Sequence, residues 1–210
     1  TRASGSASMR ELRVFLRRRS AVIGAVLVAL NVLVALGAPL IARVDPQMLD
    51  VKSRLARPTG EHWFGTDHVG RDAWSRVIYG ARLSMVVGGS VMVLSFLGGL
   101  TVGLLGGYYR AMDNVLMRFM DGLMAFPGII LAIALMASLG PSVVNVIVAL
   151  GVVYVPRVAR IVRGSVLVIR ETSYVEAARA LGIGDARIVA LHILPNCISP
   201  VIVQGTFIFA

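Results

Sequence analysis

Apolar residues in this chain gather into long uncharged runs. Residues 21–42 carry no charge over 22 positions, residues 83–109 none over 27, and residues 122–156 none over 35. A helix crossing a bilayer needs about 20 consecutive apolar residues, so the first two runs predict one span each. The third is too long for a single span and contains Gly140-Pro141-Ser142, a strong turn signal. It predicts a tight hairpin of two spans, 122–140 and 141–156. The second of these is short, so its polar end takes in Arg157. Residues 197–210 read as the start of a fifth span. These runs are too long for barrel strands, which need about 10 alternating residues. The predicted class is all-α and polytopic.

Helical spacing marks two further elements. Over residues 112–126, Met112, Val115, Leu116, Phe119, Met120 and Leu123 make one stripe, with Asp113, Asn114, Arg118 and Asp121 opposite. Only Met117 breaks the polar side. This predicts an interfacial helix that turns into the third span near Pro127-Gly128. In the basic segment 1–20, Met9, Leu12, Phe15 and Leu16 share a face away from Arg10, Arg13 and Arg17. That pattern suits a helix lying on an anionic membrane surface, behind a tail of eight residues.

Composition narrows the class. Of 210 residues 57% are hydrophobic and 15% charged, against about 25% charged in soluble domains. These numbers argue against an ordinary cytosolic enzyme and exclude a charge-rich disordered chain. The net charge is +10, from 21 Lys and Arg against 11 Asp and Glu. With the N-terminus inside, the cytoplasmic parts 1–20, 110–121 and 157–196 hold 14 cations, against seven in the outside segment 43–82. The positive-inside rule therefore puts the N-terminus in the cytoplasm, and the basic excess marks loops, not a nucleic-acid surface. A signal peptide ending near Ala35-Leu36-Gly37 is the other reading of the start. Its apolar part is long for that role, and more spans follow. The single cysteine, Cys197, excludes an intrachain disulfide framework and a multi-cysteine zinc site. The chain starts at Thr1 and stops at Ala210 inside an apolar run, so both ends read as cut from something longer.

Chemistry is sparse inside the spans. None holds Asp, Glu, Lys, Arg or His, which argues against a proton relay or ion-coupled carrier. There is no Ser/His pair, Asp pair or HExxH for catalysis, so the chain reads as a non-enzyme. Ser84, Ser90, Ser95, Thr101, Ser138 and Asn145 are either pore-lining groups or hydrogen-bonded to their own backbone, the second being the commoner fate. Ser95, Gly99, Gly103 and Gly107 recur every four residues and make a groove for a second helix. Packing within one subunit is favoured over packing against a partner.

Two connecting segments are richer. Residues 61–84 carry the turns Gly65-Thr66-Asp67 and Gly70-Arg71-Asp72, where Asp and Gly suit tight turns and Arg can hold carboxylates. They read as a compact cap that orders the start of the second span. Glu61, His62, Asp67 and His68 would be a metal set only on weak spacing. In segment 157–196, Arg157, Arg160 and Arg163 continue the fourth span. A helix follows over 173–181, with Gly182 suited to its C-terminal cap and Asp185 to the N-cap of the next helix. The predicted hairpin has little apolar surface of its own. Ala177, Ala178 and Ala180 offer a small-residue face to another protein, beside Glu176 and Arg179. A rigid hairpin between two spans can act as a lever; a DNA-reading role would need a membrane-anchored loop to reach the major groove.

This hairpin resembles the EAA motif of binding-protein-dependent ABC importer permeases: Glu176, Ala177 and Ala178, then Gly182, then Leu194-Pro195 at the family's spacing. His192 stands where the family usually has isoleucine. His192-Ile193-Leu194-Pro195-Asn196 is similar to the peptide/nickel branch. The Gly65–Arg82 stretch, with Gly65, Thr66, Asp67, Gly70, Arg71 and Asp72, and Ala125-Phe126-Pro127 after Asp121, resemble the C-type subunit of dipeptide and oligopeptide permeases. The resemblance implies a type I importer fold with six spans, here without its last. It implies a second permease subunit, two ATPase subunits or one fused pair, an extracytoplasmic binding protein and a peptide substrate, in a bacterial inner membrane. The EAA hairpin (Glu176, Ala177, Ala178, Arg179, Gly182, Leu194, Pro195) would couple to an ATPase. This chain has no GxxxxGK[ST] loop, so ATP and magnesium would sit on the partners, with no cofactor here. Nickel or another small solute is the alternative cargo. A self-contained channel or an anchor protein is the alternative class.

Overall fold

A computed structural model describes residues 18–210. The surface helix expected over residues 9–16, and all but the last three residues of segment 1–20, lie outside the described residues. The described chain is helical, with one isolated antiparallel bridge between Thr66 and Asp72. It divides at Val86–Val87 into two compact units. Among the described residues four helices are long and apolar enough to cross a membrane: α1 (Arg19–Ile41), α2 (Ala73–Tyr108), α5 (Val143–Ile169) and α7 (Asp185–Phe209). Between them lie α3 (Arg110–Met124), α4 (Gly128–Leu139) and α6 (Ser173–Ala180).

The first unit holds α1 and the start of α2. Helix α1 is apolar on every side, with Leu27, Leu36 and Leu40 exposed and only Ala35 and Ala38 buried. An all-round apolar helix with so little protein cover suits a lipid environment. The connecting segment has one 3-10 turn, Val51–Ser53, capped by Asp50, whose carboxylate accepts from the Lys52 N–H (3.0 Å) and the Ser53 hydroxyl (2.6 Å). Helix α2 begins at Ala73, ten residues before the expected start at 83. The cause is a local cap: the Asp72 carboxylate accepts the Ser75 N–H at 2.8 Å, satisfying one of the four free donors of a helix start. The helix can therefore start while Arg76 and Arg82 still interrupt the apolar run.

The second unit is built on α5. Its core joins Val91 of α2, Val158, Val162 and Val166 of α5, Val175 and Ala178 of α6, and Ile188, Ile193, Cys197, Val201 and Ile208 of α7. The expected span 122–140 is not one helix. Helix α3 stops at Met124, α4 starts at Gly128, and their axes meet at 89°. Pro127 lacks the N–H that would continue α3 and disfavours helical backbone at Phe126. Helix α4 has 12 residues, about 18 Å of rise, short of the bilayer's ~30 Å core. Bent at 89°, α3 and α4 make a broken span or a re-entrant loop in place of one straight crossing. After α4 the chain turns at Gly140 (φ +87), where the Asn145 amide donates to the carbonyls of Leu139 (2.8 Å) and Gly140 (3.0 Å).

The expected boundary of the fourth span at 156 also moves. Helix α5 passes through buried Pro156 and runs to Ile169. Its arginines are matched by α3: Arg163 holds the Asp113 carboxylate bidentately (2.5 and 2.7 Å), and Arg160 meets Asp121 at 2.5 Å. The acidic side of α3 thus faces α5, leaving Val115 and Phe119 exposed. Helix α7 begins at Asp185, twelve residues before the expected start at 197. It contains a π-turn, Val189–Ile193, whose wider ring ends with the Leu194 N–H bonded to the Val189 carbonyl. A proline ring clashes with the carbonyl four residues back in a regular helix; the π-turn loosens the ladder just ahead of Pro195, and the helix continues.

Candidate coupling site

The hairpin between α5 and α7 is set by four buried apolar side chains. Val175, Ile188 and Ile193 are fully buried, Ala178 nearly so, and all four join the valines of α5. The expectation of little apolar surface here is therefore corrected: spacing along the hairpin hides it, because the face that matters is completed by α5. The three alanines do not form one face either. Ala178 points into the core, while Ala177 and Ala180 face outward with Glu176 and Arg179, since residues two apart sit on opposite sides of a helix. Leu181 and Tyr174 extend this outward surface.

The turn is tightly specified. Gly182 has φ +76 and closes a Schellman motif: its N–H donates to Arg179 C=O (3.0 Å), and the Ile183 N–H donates to Ala178 C=O (3.1 Å). Asp185, expected as the next N-cap, is instead the first helical residue, with Gly184 at the cap. Its carboxylate is engaged elsewhere, accepting the Tyr108 hydroxyl at 2.6 Å. The Arg179 guanidinium sits 5.9 Å from the Tyr108 ring centre, and Arg170 donates to Gly107 C=O at 2.7 Å. The hairpin is thereby tied to the last turn of α2. Sequence reading missed Tyr108 and Arg170; the clue available was a polar tip on tyrosine at the end of an apolar run. Leu194 and Pro195 stand apart from the turn, at the π-turn of α7, where Leu194 is half-buried and Pro195 exposed. Asn196 links back, donating to His192 C=O (2.7 Å) and to the Tyr174 hydroxyl (3.4 Å).

The small residues of α2 face α5. A Cβ added at Gly99, Gly103 or Gly107 would lie 2.4, 2.6 or 2.6 Å from Cβ of Val158, Val162 or Val166. Ser95, one step earlier, donates to Gly151 C=O at 3.2 Å. The two helices interlock along four turns within this chain. Thr101 and Ser138 bond to carbonyls of their own helices, Leu97 and Ala134.

In the first unit, Gly65 (φ +70) and Gly70 (φ +84) are required by geometry: a Cβ would lie 2.4 Å from Ala56 O and 1.8 Å from Asp50 O. Thr66 accepts the Ala56 N–H (2.9 Å) and donates to Ser53 C=O. Asp67 accepts from the N–H groups of Val69 and Arg71 and from the guanidiniums of Arg71 and Arg76. Burial works to raise its pKa, but these bonds outweigh it and hold the carboxyl far below the usual range. Asp72 is lowered the same way: burial opposes, while Ser75 and His62 (3.0 Å) prevail. Of the four residues weighed as a metal set, His62 is bonded to Asp72 and Asp67 to arginines.

Residues 99–210, from mid-α2 to the end of α7, match the family described as the inner membrane component of binding-protein-dependent transport systems. The chain belongs to that family. Residues 10–58 also match the N-terminal transmembrane domain of oligopeptide transport permease C. A Brucella suis protein bearing the name of a peptide transport system permease is 52% identical over 94% of this chain and 67% of its own length. The dipeptide transport system permease protein of Alkalihalophilus pseudofirmus is 42% identical over 92% of this chain and 64% of its own length. The di/tripeptide transport system permease protein of Pseudomonas aeruginosa is 37% identical over 93% and 67%. The chain thus spans about two thirds of the length of these relatives. As a permease of this family it is a multi-span membrane protein, not a catalytic enzyme.

Proposed function

We propose that this chain is a permease subunit that passes short peptides from an extracytoplasmic binding protein across the bacterial inner membrane, and that the α6–α7 hairpin couples it to an ATPase. The observation that carries the reading is the hairpin's division into two sides. Val175, Ala178, Ile188 and Ile193 fix it to α5, while Glu176, Ala177, Arg179 and Ala180 are left outward. A surface held this rigidly can transmit a push into α5 and α2. Cation placement supports a cytoplasmic N-terminus, which puts the same hairpin on the side where ATPases work. The peptide assignment leans on relatives named for peptide, dipeptide and di/tripeptide transport. A second permease subunit, two ATPase subunits and the binding protein complete the machine, with ATP and magnesium on the ATPases.

Copurification with a P-loop ATPase tests assembly. Glu176→Lys and Gly182→Asp test coupling: uptake and transport-stimulated hydrolysis are expected to collapse while the complex still assembles. Intact uptake in both variants would remove the coupling role. Uptake of dipeptides, longer peptides and nickel, compared side by side, tests the cargo; uptake of nickel alone would overturn the peptide assignment.

A further inference from the structure

Where α1 ends, four side chains form a knot. The rings of Trp63 and Trp74 lie 5.2 Å apart, Phe64 meets Trp74 edge-on at 4.9 Å, and the Arg43 guanidinium lies 4.0 Å over Trp63. The Trp74 indole N–H reaches Ile41 C=O at 3.4 Å, and Arg43 donates to Gly60 C=O at 2.9 Å. Ile41 is the last residue of α1, so its carbonyl is one of those with no partner inside the helix. The knot is nonetheless open: Trp63 is 46% exposed and Phe64 56%.

We infer that this knot is a phospholipid anchor, seated at headgroup depth, with Arg43 directed at a lipid phosphate. Three observations place it there. Just before it, Leu36 and Leu40 are 75% and 92% exposed, a bare apolar surface suited to acyl chains. The Trp74–Ile41 bond fixes the aromatic cluster at the point where α1 leaves that environment. The cluster pairs amphipathic indoles with a cation, the combination favoured at the boundary between hydrocarbon and headgroups. Arg43 has five N–H groups, and among the described residues only one is engaged, by Gly60. The stacked guanidinium thus retains donors for a phosphate oxygen. A docking site for a protein would show the same aromatic exposure, but the leucines beside it favour lipid.

The chain has two tryptophans, and both are in the knot, so tryptophan emission excited selectively over tyrosine reports this site. The full chain is reconstituted in phosphatidylcholine–phosphatidylglycerol vesicles whose acyl chains carry bromine either near the glycerol or near the methyl end. Quenching should be at least about twofold stronger for bromine near the glycerol. Trp63→Phe and Trp74→Phe should each retain that preference through the remaining indole. Arg43→Gln should weaken the shallow quenching of Trp63. Emission quenched by aqueous acrylamide and by neither lipid, or quenched more by the deep bromine, would overturn the assignment. Shielding from acrylamide that appears only when a binding protein is added would also overturn it, in favour of protein docking.

Discussion

The segment between α1 and α2 and the hairpin between α5 and α7 hold their shapes by opposite means. The first is a polar cradle: Asp50, Thr66, Asp67 and Asp72 accept hydrogen bonds from backbone and arginine donors, around two glycines at positive φ. The second is fixed by apolar burial, with Val175, Ile188 and Ile193 fully enclosed. The difference decides where chemistry is free. In the cradle the carboxylates of Asp50, Asp67 and Asp72 are consumed by structure. In the hairpin the fold is carried largely by carbon, and Glu176 remains available to a partner.

The comparison can be broken at several points. Ile188→Ala should have the largest effect, about 2–5 kcal/mol, as a cavity opens in a dense core; a thermal melt of detergent-solubilised protein would read it. Gly70→Ala comes next, because its Cβ would collide with Asp50 O; strain of about 1–3 kcal/mol is expected, seen as faster hydrogen exchange confined to residues 50–72. Asp72→Ala removes the α2 cap and should cost about 1 kcal/mol, with exchange rising in the first turn of α2.

Acid should separate the two regions without mutation. Asp67 and Asp72 have folded pKa values below their ordinary 3.8. Their contribution is fully present above that value and is lost as pH falls through the lower folded values. Exchange protection in the cradle should therefore decline below about pH 4, while the Ile188 and Ile193 amides keep theirs. The smallest stability change is expected for Glu176→Lys, within about 0.5 kcal/mol on an exposed face. Loss of peptide uptake in that same variant would separate function from folding most sharply.

Much of the fold was legible because uncharged runs announce spans directly. The four-residue spacing of Ser95, Gly99, Gly103 and Gly107 also pointed to close helix packing, although its partner valines lie some 60 residues on and carry no local mark. Helix ends were less legible. Asp72 starts α2 among charged residues that hydropathy alone assigns to a loop, and Pro127 breaks a run that hydropathy alone keeps whole. At the hairpin, Gly182 and the outward Glu176 could be read from the turn and the motif. The inward side could not, since Val175 and Ile188 make a continuous apolar face only together with α5.

The π-turn of α7 has a consequence for phase. Successive helical residues rotate by about 100°, so positions five apart differ by about 140° and cannot share a face. Ile188 and Ile193 are five apart, yet both are fully enclosed. The wider turn between them takes up the excess rotation, and from Ile193 onward Cys197, Val201 and Gly205 repeat every four residues toward the same core. Deleting one residue between the two isoleucines would leave them four apart, where a regular helix keeps both inward without the wide turn. The turn therefore works as a phase shifter, letting hairpin and span share one interior while keeping different periodicities.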